Sequence, residues 1–201
     1  MTAFSSVGIS RTFDAERDGF VMGEGAGVMV LEEWDMAVER GATILAEILG
    51  GASTADAHHI TAPSPGGIGA ITCMRIALEE AGVEPDQVRH INAHGTSTPL
   101  NDMAEAFAMA EVFGPDGPLV TSTKGITGHA LGAAGAIEAV AVVLAMNSKL
   151  IPPTAGYTTS DPEMPPINLV TGSPAPWEPG ISMSNSFGFG GHNGSLVIAP
   201  A

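Results

Sequence analysis

The chain has 201 residues, 44% of them hydrophobic and 14% charged, which is ample apolar material for a buried core and low enough in charge to suggest that much surface is covered by something. Seven basic against 22 acidic residues give a net charge of −15, which excludes a nucleic-acid or anionic-membrane surface because nothing here could neutralise a run of phosphates. A single cysteine excludes an internal disulfide and fits a reducing compartment, so a soluble, cytoplasmic protein is expected. Residues 1–11 lack the basic start and apolar run of a signal peptide, and the longest apolar run, 136–146, contains Glu138 and is too short to span a bilayer.

In chain order, "GFVMGEGAGVMVLEE" (19–33) reads as a strand broken by alternate glycines, whose bare face invites another backbone or helix to pack closely. Its GEGAG is not a dinucleotide loop, since a strand-like run follows it rather than a helix. Residues 34–41 form a short helix closed by Gly41, and 44–54 a second strand. Over 66–83, apolar residues at 68, 71, 74, 78 and 81 predict a helix ended by Gly82. Residues 84–98 give a turn, a short strand and a Gly/Thr loop; 99–113 give a helix with Pro99 at its start. A strand then runs into a loop (118–125). The helix at 130–149 is apolar nearly all round, so it should be buried. A proline-rich loop (152–166) leads to a strand, a glycine loop and a strand over 180–200. Alternating strands and helices that close in a strand pair predict a layered α/β domain: a parallel sheet with a terminal antiparallel pair.

Three loops carry the candidate chemistry, "NAHGTSTP", "TSTKGITGH" and "NSFGFGGHNG", and each follows a strand. Loops at the carboxyl ends of strands converge in an open α/β sheet, which would gather His94, Lys124, His129 and the 188–191 backbone. Neutral imidazoles and bare glycine N–H groups can donate to an oxygen that becomes negative, and a nearby ammonium biases imidazole towards its neutral form. Such a site suits an oxyanion or an enolate. A lone loop histidine more often satisfies local backbone; three such loops together shift the balance.

Other residues read as structural. His90 and His94 lie on a strand and loop without a companion cysteine, which argues against zinc. His58 and His59 belong to a polar loop in which Asp56 could face a site, and His192 fits loop packing. Cys73 falls mid-helix among Ile71, Met74 and Ile76, the setting of a buried thiol rather than a nucleophile. No G-x-S-x-G elbow is present.

"ERDGFVMGEGAGVMVLEE", "NAHGTSTPLND", "STKGITGHALGAAGAIEA" and "NSFGFGGHNGSL" together resemble the C-terminal half of a beta-ketoacyl-[acyl carrier protein] synthase, an elongating condensing enzyme of type II fatty-acid and polyketide systems. The resemblance runs from about Arg11 to the end. It implies residues 1–201 as the C-terminal half of a thiolase-like fold, a mixed sheet with helices on both faces, and decarboxylative Claisen condensation with malonyl-carrier protein. It implies His94 and His129 as the imidazoles that bind the thioester oxygen, Lys124 and Glu138 as their supporting pair, and Thr96 and Thr98 as contacts of the pantetheine arm. Phe189 matches the gate of the glycine loop, whose backbone, with Gly188 and Gly190, helps form the oxyanion hole. Asp56 matches a loop aspartate that moves with that gate. No cofactor or metal is implied, because the substrate carries its 4'-phosphopantetheine on the carrier protein.

The resemblance also implies a cysteine nucleophile upstream, which Cys73 does not match, so a fragment, a truncated product or one piece of a split synthase is expected. Its partners would be an acyl carrier protein and an N-terminal ketosynthase half, with a homodimer for the full enzyme. Carrier proteins are acidic, and −15 on this chain would repel one, which puts the docking cations elsewhere. Thiolases share a similar "GH-LGA-GA" stretch but carry a second cysteine in the last glycine loop, absent here. A non-catalytic chain-length subunit would lose part of the set, whereas His94, Lys124 and His129 are all present. A decayed, inactive fragment stays open.

Overall fold

A computed structural model describes residues 3–201. Helix α1 (Trp34–Glu39) starts where the Glu33 carboxylate accepts the Met36 N–H at 3.0 Å, and it stops at Arg40 ahead of Gly41, φ 70°. There follow β1 (Ala46–Ala55), α2 (Ile68–Ala81), β2 (Val88–Asn92), α3 (Pro99–Phe113), β3 (Leu119–Thr121), α4 (Lys124–Thr127), α5 (Ala134–Ser148), β4 (Leu150–Ile151), β5 (Ala175–Pro176), β6 (Ile181–Gly188) and β7 (His192–Pro200). Five strands form one sheet in the order β1-β7-β6-β2-β3. β6, β2 and β3 are parallel, and β7 runs antiparallel between β6 and β1. The parallel core and terminal antiparallel pair follow the alternation read from the sequence; the antiparallel seat of β1 on β7 and the small antiparallel β4–β5 pair do not follow from it.

The two faces of the sheet are dressed differently. Val197 packs with Ile91, Ala93 and Met183 under α2 and α3, while its neighbour Ile198 packs with Ala139, Val142 and Met146 of α5. Successive strand residues point to opposite faces, so α5 covers the face that α2 and α3 do not. The buried stripe of α2 is Ala70, Cys73, Met74, Ala77 and Leu78; of the predicted 68-71-74-78-81 set, Met74 and Leu78 are in it, Ile71 and Ala81 pack at its edge, and Ile68 is 62% exposed. Small residues win the inner face because the helix lies close on the sheet: a Cβ on Gly50 of β1 would sit 2.7 Å from Ala81 N. Cys73 is fully buried there, as expected.

The 19–33 segment is extended, but it is not the predicted strand. Only Phe20 and Met22 make isolated bridges, to Phe4 and His129. No strand among the described residues lies beside 24–33 to form a ladder. The close approach expected at its glycines is present: a Cβ on Gly25 would lie 3.0 Å from Ile137 Cδ1, and one on Gly27 2.7 Å from Ala136 C, both on α5. The alternate side chains face outward, Val28 and Val30 at 85% and 89% exposure. α5 itself is buried along Ala134, Glu138, Ala139, Val142, Ala145 and Met146, not all round as predicted, and Leu144 is exposed. By length and composition alone, residues 131–148 could cross a membrane (mean hydropathy 1.6). Glu138, ion-paired within the interior, and the packing of α5 on the sheet mark it as a core helix.

His90, on the α5 face of β2, is buried with neither ring nitrogen hydrogen-bonded, its ring edge-on to Trp177 at 5.5 Å. Burial pushes its pKa down to about 3. The unfolded ring titrates near 6.5, so between these values the unfolded chain binds a proton that the folded chain refuses. His90 therefore costs stability as pH falls from about 6.5 towards 3. His90→Phe is expected to remove that cost, on the order of 3 kcal/mol near pH 4. Denaturant titrations of both proteins at pH 7 and pH 4 measure it; an identical loss in the variant would clear His90 of the effect.

Candidate active site

The loop that leaves β2 is built on two buried carboxylates. Glu105 of α3 accepts the N–H groups of His94 (2.7 Å) and Gly95 (2.8 Å). Asp102, one turn earlier, accepts those of Thr96 (2.9 Å), Ser97 (3.1 Å) and Phe13 (2.8 Å). Burial raises the pKa of both, Glu105 to about 7, against the lowering pull of these N–H donors. Thr98 caps α3, and its hydroxyl lies 2.9 Å from that of Thr96. Gly95 is where the second loop arrives: a Cβ on it would be 2.7 Å from Ser122 Cβ, and Ser122 Oγ donates to Gly95 O at 2.9 Å.

Lys124 opens the four-residue α4 and is 1% exposed. Its ammonium spends all three hydrogens inside the protein: on His94 O at 2.5 Å, towards His94 Nδ1 at 3.3 Å, and on Glu138 Oε1. A buried cation needs such a partner, and burial correspondingly raises the pKa of Glu138.

His129 follows α4, where Gly128 turns the chain with φ 66°. Its Nδ1 accepts the Leu131 N–H at 3.2 Å, which puts the ring proton on Nε2. The ammonium facing His94 Nδ1 sets the same tautomer there. The two rings meet at a centroid distance of 5.3 Å and 84°. Burial, then the Lys124 charge, then His129 hold His94 well below its ordinary pKa; burial and then Lys124 lower His129 to about 4. Both are therefore neutral at pH 7, and neither Nε2 is bonded to another described residue. Two N–H donors on crossed rings can converge on one oxygen.

The glycine loop enters beside them. Phe187, at the end of β6, faces His94 at 6.1 Å, while Phe189, two residues on, is 56% exposed. Gly188 keeps an extended φ of −89°, whereas Gly190 and Gly191 turn with φ 82° and 75°. Asp56 ties this loop to its neighbour. Its N–H donates to Gly191 O at 2.9 Å, and its carboxylate accepts from Asn193 Nδ2 (2.7 Å) and Ser64 N (2.9 Å). Gly190 N–H donates to Ile60 O at 2.9 Å. His59 holds its own turn through Nδ1, and His192 lies exposed beside Gly190. Among the described residues no group of three His, Cys, Asp or Glu is placed to hold a metal ion.

The structure thus gathers His94, His129, Lys124, Glu138, Thr96 and Thr98 around two neighbouring loops. Asp56, Gly188, Phe189 and Gly190 form a second cluster that reaches them through Phe187. Asp102, Glu105 and Ser122 were missed by the sequence reading.

Residues 45–158 match the family model for the beta-ketoacyl synthase C-terminal domain, and residues 1–37 match that for its N-terminal domain. The chain belongs to the beta-ketoacyl synthase family. It is 49% identical over 191 residues to 3-oxoacyl-[acyl-carrier-protein] synthase 2 of Synechocystis sp., covering 94% of this chain and 46% of that protein. A beta-ketoacyl synthase from Burkholderia phymatum superposes with a TM-score of 0.95 at 39% identity, over 99% of this chain and 49% of the other. A type II polyketide ketosynthase, solved with its acyl-carrier protein and a hexaketide, does so at 0.95 and 36%, over 99% and 50%. The fold is the thiolase-like fold of these ketosynthases. The chain spans about half the length of the curated relatives it matches.

Proposed function

We propose that this chain supplies the enolate-stabilising half of a decarboxylative Claisen condensation that extends an acyl thioester with malonyl-[acyl carrier protein]. The observation that carries the reading is the pair of neutral imidazoles, crossed at 5.3 Å with both Nε2–H groups unspent. In the proposed step the malonyl thioester oxygen sits between them. The bond to the carboxylate carbon breaks, CO2 leaves, and its electron pair flows to the oxygen as an enolate held by two hydrogen bonds. The enolate carbon then attacks an acyl thioester on a cysteine, expelling the thiolate. Neutral rings suit this: an imidazolium would protonate the enolate instead of lending it a hydrogen bond.

Burial, reinforced by the Lys124 charge, keeps both rings neutral; Lys124 fixes the His94 tautomer, and Glu138 compensates the buried ammonium. In this reading Thr96 and Thr98 bond the amides of the pantetheine arm. The glycine loop offers backbone N–H groups for the oxyanion of the acyl thioester, with Phe189 as its movable cover and Asp56 as the latch. The chemistry draws on side chains and backbone, with the phosphopantetheine arriving on the substrate. An acyl carrier protein, a cysteine-bearing N-terminal ketosynthase half, a homodimer and a cytoplasmic location complete the proposal; a carrier-bound ketosynthase relative supports the first.

Decarboxylation needs no thiol, so it tests the pair directly. The enolate takes a proton from water and malonyl-carrier protein becomes acetyl-carrier protein, read by mass spectrometry. His94→Ala and His129→Ala are each expected to slow it 10²–10³-fold, about 3 kcal/mol per donor. Unchanged turnover in either variant would remove that histidine from the mechanism.

A further inference from the structure

The 19–23 segment has no part in the proposed chemistry, yet it touches both histidine loops. Gly19 N–H donates to Ser97 O at 2.9 Å, three residues beyond His94. Val21 O accepts the N–H of His129 at 2.7 Å, and Gly23 N–H donates to His129 O at 3.1 Å. The segment thus grips the His129 main chain on both sides of its Cα and is bonded to the other loop four residues before Gly23. Phe20, 5% exposed, sets its ring against the His129 imidazole with centroids 5.2 Å apart and planes at 65°. Phe20 is held in turn: its N–H donates to Ala3 O, its carbonyl accepts from Ser5 N, and the Phe4 ring lies 4.8 Å away. Side chains at Gly19 and Gly23 would break this arrangement, the first by meeting the Phe4 backbone and the second Thr127 O.

We propose that Phe20 is a positioning residue for His129, and that residues 19–23 splint the two histidine loops at a fixed separation. The inference rests on the enolate reading for its catalytic consequence. A histidine ring hung on Leu131 N–H alone can still tilt about that one bond. The Phe20 edge supplies a second, out-of-plane restraint, so Nε2–H keeps its aim at the oxygen that His94 also addresses. The same ring keeps water from one side of His129. The ionisable groups facing His129 are Lys124 from α4 and His94 from the loop after β2. Residues 19–23 contain none, so a changed His129 titration in a Phe20 variant reports ring placement and solvent access, not a lost charge.

Ring C–H signals of the 201-residue chain, followed by NMR against pH, give the readout. In Phe20→Ala the His129 titration is expected to climb from about 4 towards 6.5 by about one pH unit or more. Phe20→Tyr, which keeps the flat edge, should restore the parent value. In malonyl decarboxylation Phe20→Ala should lower kcat about tenfold or more with KM unchanged, again rescued by tyrosine. Phe20→Leu fills most of the volume and answers the question where alanine prevents folding: it should lower kcat while melting like the parent. An alanine or leucine variant that melts like the parent with His129 titrating as before and kcat unchanged overturns the proposal. Should the parent itself show no decarboxylation, the enolate reading fails, and the His129 titration alone decides Phe20.

Discussion

A purified polypeptide of these 201 residues, given malonyl-carrier protein and an acyl donor, is expected to yield no elongated product. Condensation needs a thiolate to hold the acyl chain beside the imidazoles, and the one cysteine cannot serve. Cys73 is 0% exposed in α2, where its Sγ lies 3.5 Å from Ala52 O. It shares the buried stripe of α2 with Met74 and Ala77, which pack on the sheet face that Ile91 and Ala93 share. His94 lies in the loop beyond β2, its ring turned to Lys124, which pairs with Glu138 of α5. Intact-mass spectrometry after incubation with the acyl donor should find the chain unmodified, and Cys73→Ala should behave as the parent does. A covalent acyl adduct, or a radiolabelled β-ketoacyl product, would sink this expectation and would require a second route to a reactive thiol.

Much of the fold was legible because local signals and tertiary packing agree. Pro99 follows Thr98, whose hydroxyl caps α3, and the predicted 99–113 helix is the observed one. Gly82 ends α2 in the left-handed conformation expected of it. Disagreement arose where packing depends on smallness rather than hydrophobicity. The α2 stripe through Met74 and Leu78 is buried as predicted, but a helix pressed onto Gly50 turns Ala70, Cys73 and Ala77 inward and leaves Ile68 exposed. The 19–33 stretch has strand composition without a strand to pair with among the described residues, so its glycines receive α5 while its valines face out.

The same contrast holds at the site. His94, Lys124 and His129 stood out because each is an ionisable side chain in a Gly/Thr loop, and the parallel strands bring such loops together. Asp102 and Glu105 did not, since an acid on a helix ordinarily marks its wet side. Here α3 runs back under the loop that precedes it, and five main-chain N–H groups take the place of water. The available signal was the position of Asp102 in the first turn with Glu105 three residues on, the spacing that puts two carboxylates on one face directly after a glycine loop. Phe20 was invisible for a different reason: only tertiary structure shows which ring an aromatic side chain abuts.

Lys124→Met is expected to be the most destabilising single change at the site. It strands Glu138 in the interior, where Oε2 already lacks a partner and burial already raises the pKa. Removing one member of a buried pair costs about 3–5 kcal/mol, a large part of the roughly 5–15 kcal/mol that holds a domain together. The loss depends on pH. With its cation gone, Glu138 titrates further above its unfolded value of 4.5, so the unfolded chain gives up its proton first. The variant should therefore lose stability relative to the parent as pH rises above about 4.5, and should come closest to it in acid. Adding Glu138→Leu removes the stranded carboxylate and should return most of the stability, because an apolar pair of similar volume replaces two desolvated charges. Function should not return with it. His94 O and His94 Nδ1 both lose their donor, the ring is no longer held in one tautomer, and the charge that disfavours its protonation is gone. Urea titrations of the four proteins in this cycle, alongside malonyl decarboxylation, separate the two roles. A Lys124→Met loss below about 1 kcal/mol would mean the pair is solvated after all. A double variant that decarboxylates like the parent would leave Lys124 a structural residue only, with the histidines orienting themselves.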